Sequence, residues 1–159
     1  MMGKFRIEIK WAIIFVLATL LWMVFEKSMG WHDVLIEKHA IYTNFFAIIA
    51  IAVYILALLD KRKVDYHGKM DWKQGFISGI ILSVIIAVIS PITQYMTSTF
   101  ITPEYFTNVI NFVVDSGKMD REAAESYFNL KSYILQSLFG ALTMGIVTSA
   151  IVAFFVKKQ

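Results

Sequence analysis

The chain has 159 residues, 58% of them hydrophobic, with a mean hydropathy of +0.63 and a formal net charge of +3. That is too apolar for an ordinary soluble domain, fits a single membrane domain over residues 1–159, and leaves no room for a second one. The absence of cysteine excludes disulfides, thiolate metal sites and a cysteine nucleophile, and basic residues that border apolar runs read as membrane topology rather than as a nucleic-acid face.

The first apolar run, Trp11 to Phe25, covers roughly 22 Å at about 1.5 Å per residue, short of a hydrocarbon core of about 30 Å. Including Ile7 and Ile9 gives a span of about residues 7–26, with Lys10 reaching back to the headgroups and Glu26 snorkelling to the opposite interface. A signal peptide is the alternative, because Lys4, Arg6 and Lys10 precede the run and Ser28-Met29-Gly30 loosely imitates a cleavage site. The bulky Trp22, Met23 and Phe25 end the run, and three further spans follow. The second span, residues 40–59, carries no charge over 20 residues and stops at Asp60-Lys61-Arg62-Lys63, which reads as a surface anchor.

The third span starts near Gln74 and is too short to stop at Pro91, so it is expected to continue to Ile101 (74–101) with a kink where Pro91 lacks an N–H and crowds the carbonyl of Ala87. Thr102 then suits an N-cap, Pro103 a first helical position and Glu104 the positive end of a helix dipole. Tyr105, Phe106, Val109, Ile110 and Val113 form an amphipathic stripe for the membrane or bundle surface, and Ser116-Gly117 stops it. Asp120 caps a second stretch that can run into the fourth span, residues 133–156, closed by Lys157 and Lys158. The expected fold is thus an all-α integral membrane bundle of four transmembrane helices with a helical excursion at 102–132. Ten Lys and Arg fall in the N-terminal segment, the 60–73 loop and the C-terminus, against five in the other two loops. By the positive-inside rule both termini are cytoplasmic and the excursion is extracytoplasmic.

Small residues recur every fourth position at Gly75, Gly79, Ser83 and Ala87, and again at Ser137, Ala141, Gly145, Ser149 and Ala153. Such stripes let backbones approach closely, so the third and fourth spans are expected to pack along them, a homodimer or a partner's helix being the rival use. The strongest polar groups within or bordering the spans fall in the outer half: Glu26, Asn44, Ser90, Gln94, Thr97, Gln136 and Thr143. They are candidates for an outward-open polar pocket, with interhelical hydrogen bonding as the bland alternative. Glu26 sits at a span edge, where anchoring explains it, and no span has a charge near its middle, which argues against proton-coupled transport.

His32, Asp33, Glu37 and His39 are residue types that ligate divalent metals, but H-D-x3-E-x-H matches no established metal motif, so neither metal nor cofactor is assigned. Tyr66-His67-Gly68 reads as a turn, and no phosphate-binding loop, dinucleotide fingerprint or nucleophile elbow occurs.

The Trp72-Lys73-Gln74-Gly75-Phe76 start of the third helix with Gly79, and Thr102-Pro103-Glu104-Tyr105 after it, carry a resemblance. The chain resembles, over nearly its whole length, a bacterial family of small inner-membrane proteins, the domain-of-unknown-function family four-one-nine-nine. That family's pattern has an Asn- or Asp-like residue before the proline, and Thr102 departs from it while keeping a capping hydroxyl. The resemblance implies a four-helix inner-membrane fold and genomic proximity to glycosyltransferases acting on lipid-linked sugars, and it supplies no catalytic residues. The expected function is a non-enzymatic accessory or partner-binding subunit, its partner a second copy or another membrane protein such as such a glycosyltransferase. The alternatives are a lipid or small-molecule binding or transport protein using the outer polar groups, and a membrane enzyme on lipid-linked substrates.

Overall fold

The computed structural model describes residues 5–158; Lys4, one of the basic residues counted above, lies outside the described residues, as does Gln159. The described elements are helical: α1 (Arg6–Ser28), α2 (Ile36–Tyr42), α3 (Phe46–Val64), α4 (Trp72–Met96), α5 (Tyr105–Asp115), α6 (Arg121–Tyr127) and α7 (Leu130–Val156). A single 3₁₀ turn, Thr43–Phe45, joins α2 to α3, so that among the described residues four helical stretches are long and apolar enough to cross a membrane: Arg6–Ser28, Ile36–Val64, Trp72–Ile101 and Leu130–Val156. Leu17, Leu21, Val88, Ile92, Phe139 and Phe155 lie on their outer faces, which is where lipid replaces water. The chain is a multi-pass membrane protein.

Long-range contacts gather the start of α1, the end of α3, the start of α4 and the end of α7 at one end of the bundle, here the basic end. There Glu8 is buried and meets Lys61 at 2.9 Å and the Ser78 hydroxyl at 2.7 Å, while Lys61 also reaches Asp65 at 2.7 Å. Lys61 is therefore not the surface anchor its neighbours suggest; it is 6% exposed because its charge is matched inside. Lys10, expected among headgroups, pairs with Asp60, which also accepts the Trp11 indole at 2.9 Å. The backbones of Met70 and Lys158 exchange two hydrogen bonds, of 2.7 and 2.8 Å, tying the chain's tail across the entrance to α4.

α4 begins with a reciprocal cap: Asp71 accepts from the Gln74 N–H at 2.8 Å, and the Gln74 side chain accepts from the Asp71 N–H at 2.9 Å. The helix passes through Pro91 and closes in a π-helical turn, Thr97–Ile101. Thr102 ends that turn, its N–H reaching Thr97 O at 2.8 Å, and it does not cap α5, which starts at Tyr105 with no side-chain cap. The capping hydroxyl is spent on the preceding helix, bonding back to Thr97 O at 3.4 Å. Asp120 caps α6 through the Ala123 N–H at 2.8 Å, and Asn129 starts α7 afresh, so the two do not run together. Tyr105, Val109 and Val113 bury the inner stripe of α5 against α6 and neighbouring aromatics, covering the end opposite the basic one.

α4 and α7 share the most extensive contact among the described elements. Gly75 faces Ala153, Gly79 faces Ser149, and Gly145 faces Ser83 and the Tyr54 hydroxyl. A Cβ on Gly79 would lie 2.5 Å from Ser149 Cβ, so this approach requires glycine. The two serines are satisfied locally, Ser83 on Gly79 O at 2.7 Å and Ser149 on Gly145 O at 2.6 Å, and Tyr54 bridges to Ser83 at 2.9 Å. Ser137 and Ala141, the outer members of the α7 stripe, line a cavity, Ala141 also packing against the core cluster.

Candidate functional site

The last turns of α1 carry Trp22 and Glu26, and the chain then reverses at Gly30, whose φ of +75° belongs to the left-handed region that glycine adopts without a Cβ penalty. Trp31 N–H bonds back to Glu26 O at 3.1 Å and Leu35 N–H to Gly30 O at 2.7 Å, which turns His32 inward beneath the end of α1. Trp31 stacks on Tyr42 at 4.7 Å, holding the loop against α2. α2 brings His39 to the same point, and the first residue of α5, Tyr105, closes it from the other side.

The result is a buried carboxylate with two imidazoles. Glu26 is 0% exposed; its Oε1 accepts from the Trp22 indole, and its Oε2 lies 2.8 Å from His32 Nε2 and 3.3 Å from His39 Nε2. The Tyr105 hydroxyl lies 3.2 Å from His39 Nδ1 and 3.2 Å from the Tyr133 hydroxyl, extending the network into α7. Burial, with Tyr133 and the Glu26 charge nearby, pushes the Tyr105 phenol above its ordinary range, so it stays protonated and available as a donor. Asn108 holds the loop by donating to His32 O at 3.0 Å. His32 Nδ1 is buried and without a hydrogen-bond partner among the described residues.

Glu26 is thus not an interfacial anchor: Trp22 on α1 donates to Oε1, while the Gly30 turn brings His32 and α2 brings His39 to Oε2, which offsets the cost of removing a charge from water. Among the described residues Glu26, His32 and His39 form the group whose donor atoms could hold a metal, all within 4.8 Å of one another. Asp33 and Glu37 are exposed and stand apart, Asp33 accepting the N–H of Val34 in its own loop. Of the H-D-x3-E-x-H set, the structure brings the two histidines together and leaves the two acids apart. His32 lies in the loop before α2, which starts at Ile36.

Two adjoining cavities reach inward from this centre. One of about 200 Å³ is lined by His32, His39, Thr43, Gln94, Ser98 and Tyr105 among others. The next, of about 260 Å³, is mostly apolar, with Phe15, Val16, Phe46, Ile86 and Ala141 in its wall beside Ser90 and Thr93. Met23, Gln94 and Thr97 line both. Gln94 donates to Ser98 at 2.9 Å, and Ser90 bonds back to Ala87 O at 2.9 Å. The other expected pocket residues lie elsewhere. Asn44 is exposed and bonded to Ala40 O at 2.8 Å, while Gln136 and Thr143 are exposed on the outer face of α7. Helical periodicity placed those two on one face but did not say which way the face points.

The family model described as "Protein of unknown function (DUF4199)" matches residues 10–158. The chain belongs to this family. No curated protein and no solved structure matches it. The stretch shared with the DUF4199 family contains Glu26, His32, His39 and every residue of both cavities, whereas Glu8 lies before it.

Proposed function

We propose that this protein binds an amphipathic small molecule or lipid in the hollow of its histidine end, within the bacterial inner membrane. The observation that carries this reading is the pairing of an apolar chamber with a polar one through Met23, Gln94 and Thr97, an arrangement suited to an acyl or isoprenoid tail below a polar head. Each chamber alone is below the common ligand-pocket range of about 300–1,000 Å³, and joined they reach it. The basic end faces the cytoplasm with both termini, and α5 and α6 lie outside, by the excess of Lys and Arg at that end. The test is extraction and mass spectrometry of molecules that co-purify with the protein in mild detergent, compared with Ala141→Phe, which fills the apolar chamber. A stoichiometric amphiphile in the natural protein that is lost from the folded variant supports the reading, and an empty natural protein contradicts it.

A second reading, an accessory subunit that docks on a membrane partner, is favoured by Gln136, Gly140 and Thr143, which share an outward face of α7 with nothing against Gly140. Polar groups on a membrane helix favour protein neighbours over lipid, so a partner's helix suits that face. Crosslinking from a cysteine at Gly140 to another membrane protein supports it, and label found only on lipid contradicts it.

A further inference from the structure

We propose that Glu26, His32 and His39 form a site for a divalent transition-metal ion of the zinc class, through Glu26 Oε2 and the Nε2 atoms of both imidazoles. The inference stands apart from the amphiphile reading, since it concerns the ion alone.

Two imidazoles and one carboxylate are the donor set that holds zinc in open, three-ligand sites and iron(II) in facial triads. With bonds of about 2.0–2.2 Å, tetrahedral ligands stand about 3.3–3.5 Å apart. Glu26 Oε2 already lies 3.3 Å from His39 Nε2 and 2.8 Å from His32 Nε2, and the three residues' donor atoms all lie within 4.8 Å of one another, so an ion draws His32 back from the carboxylate and sets its spacing to His39. The three residues come from α1, the Gly30 loop and α2, and the side chains are 0%, 5% and 19% exposed, which keeps water and competing ligands away from all but the His39 side.

Two of the three ligands, Glu26 and His39, have the orienting partners that metal sites use. Trp22 fixes Glu26 through Oε1, leaving Oε2 for the ion. A metal at His39 Nε2 moves that imidazole's proton to Nδ1, where the Tyr105 oxygen at 3.2 Å accepts it and Tyr105 in turn donates to Tyr133. His32 is the ligand without an orienting partner. Its ring is buried, its Nδ1 has no partner among the described residues, and its single side-chain bond is to Glu26. Both histidines line the polar cavity, so the ion's remaining positions open onto it.

The experiment uses tag-free full-length protein in detergent, stripped with a chelator and titrated with Zn²⁺ alone. Bound metal is counted by elemental analysis and the melting temperature is recorded. The expected result is one equivalent per chain with a rise in melting temperature, unchanged in Asp33→Asn. Binding should be lost in His39→Gln and weakened about 10- to 100-fold in Tyr105→Phe, which removes an orienting hydroxyl. X-ray absorption of the zinc-loaded natural protein should show two imidazoles, a readout that needs no variant to fold. No bound zinc, equal affinity in folded His39→Gln, or an absorption spectrum without imidazole overturns the proposal. Loss of the amphiphile in Ala141→Phe leaves zinc content unchanged, so the two readings fail separately.

Discussion

The bundle buries a carboxylate at each end, and the two are treated in opposite ways. Glu8, at the basic end, is matched through Oε1 by a lysine and a serine hydroxyl, its Oε2 having no hydrogen-bond partner among the described residues. Glu26, at the other end, is matched by an indole and two imidazoles beside open space. Lysine is a compact fixed cation with no lone pair to offer, so the Glu8 cluster can only hold the helices together. Imidazole can donate, accept or ligate, so the Glu26 cluster keeps chemistry available. The α4 and α7 contact shows the same division, closing at Gly79 and Ser149 and bordering a cavity at Ser90 and Ala141.

The comparison breaks most visibly at the lysine. Lys61→Met leaves Glu8 buried with only Ser78, and removing one partner of a buried pair costs about 3–5 kcal/mol. Denaturation in detergent should show that loss, and a change below about 1 kcal/mol would mean that the basic end is open to water. Gly79→Leu drives a side chain into Ser149 and should cost about 3 kcal/mol, the upper part of the overpacking range. The corresponding insertion at the hollow end, Ala141→Phe, should change stability by less than about 1 kcal/mol because the space exists. Of similar size is Gln94→Leu, which gives up one hydrogen bond to Ser98 and should cost about 1 kcal/mol while impairing ligand retention. If it unfolds the protein, Gln94 is an interhelical tie and not a cavity wall.

Those expectations rest on features that differ in how far the sequence discloses them. Span lengths and their basic borders are local properties, so the 40–59 run and the 74–101 run through Pro91 were legible, as was the fourfold spacing that places Gly79 opposite Ser149. Glu26 was not legible as a buried group. A carboxylate at the end of an apolar run has the same sequence signature whether it snorkels or folds inward, and the decision lies in the Gly30 turn. Likewise Lys10 and Lys61 resemble any basic flank until α1 and α3 meet and bring them to Asp60 and Glu8. Gln136 and Thr143 show the converse: expected in a pocket, they are exposed, because their direction is set by which face of α7 the other helices occupy.

The chain contains no cysteine, so the contrast between a packed and a hollow end is open to direct measurement with single-cysteine variants. Gln94→Cys and Ser83→Cys stand on the same helix, one on the cavity wall and one fully buried against Gly145. Labelling with a small maleimide in native membranes should modify Gln94→Cys rapidly and leave Ser83→Cys unreacted until the protein is denatured. Equal protection at both positions would show that the histidine end is as closed as the basic one and would contradict the account.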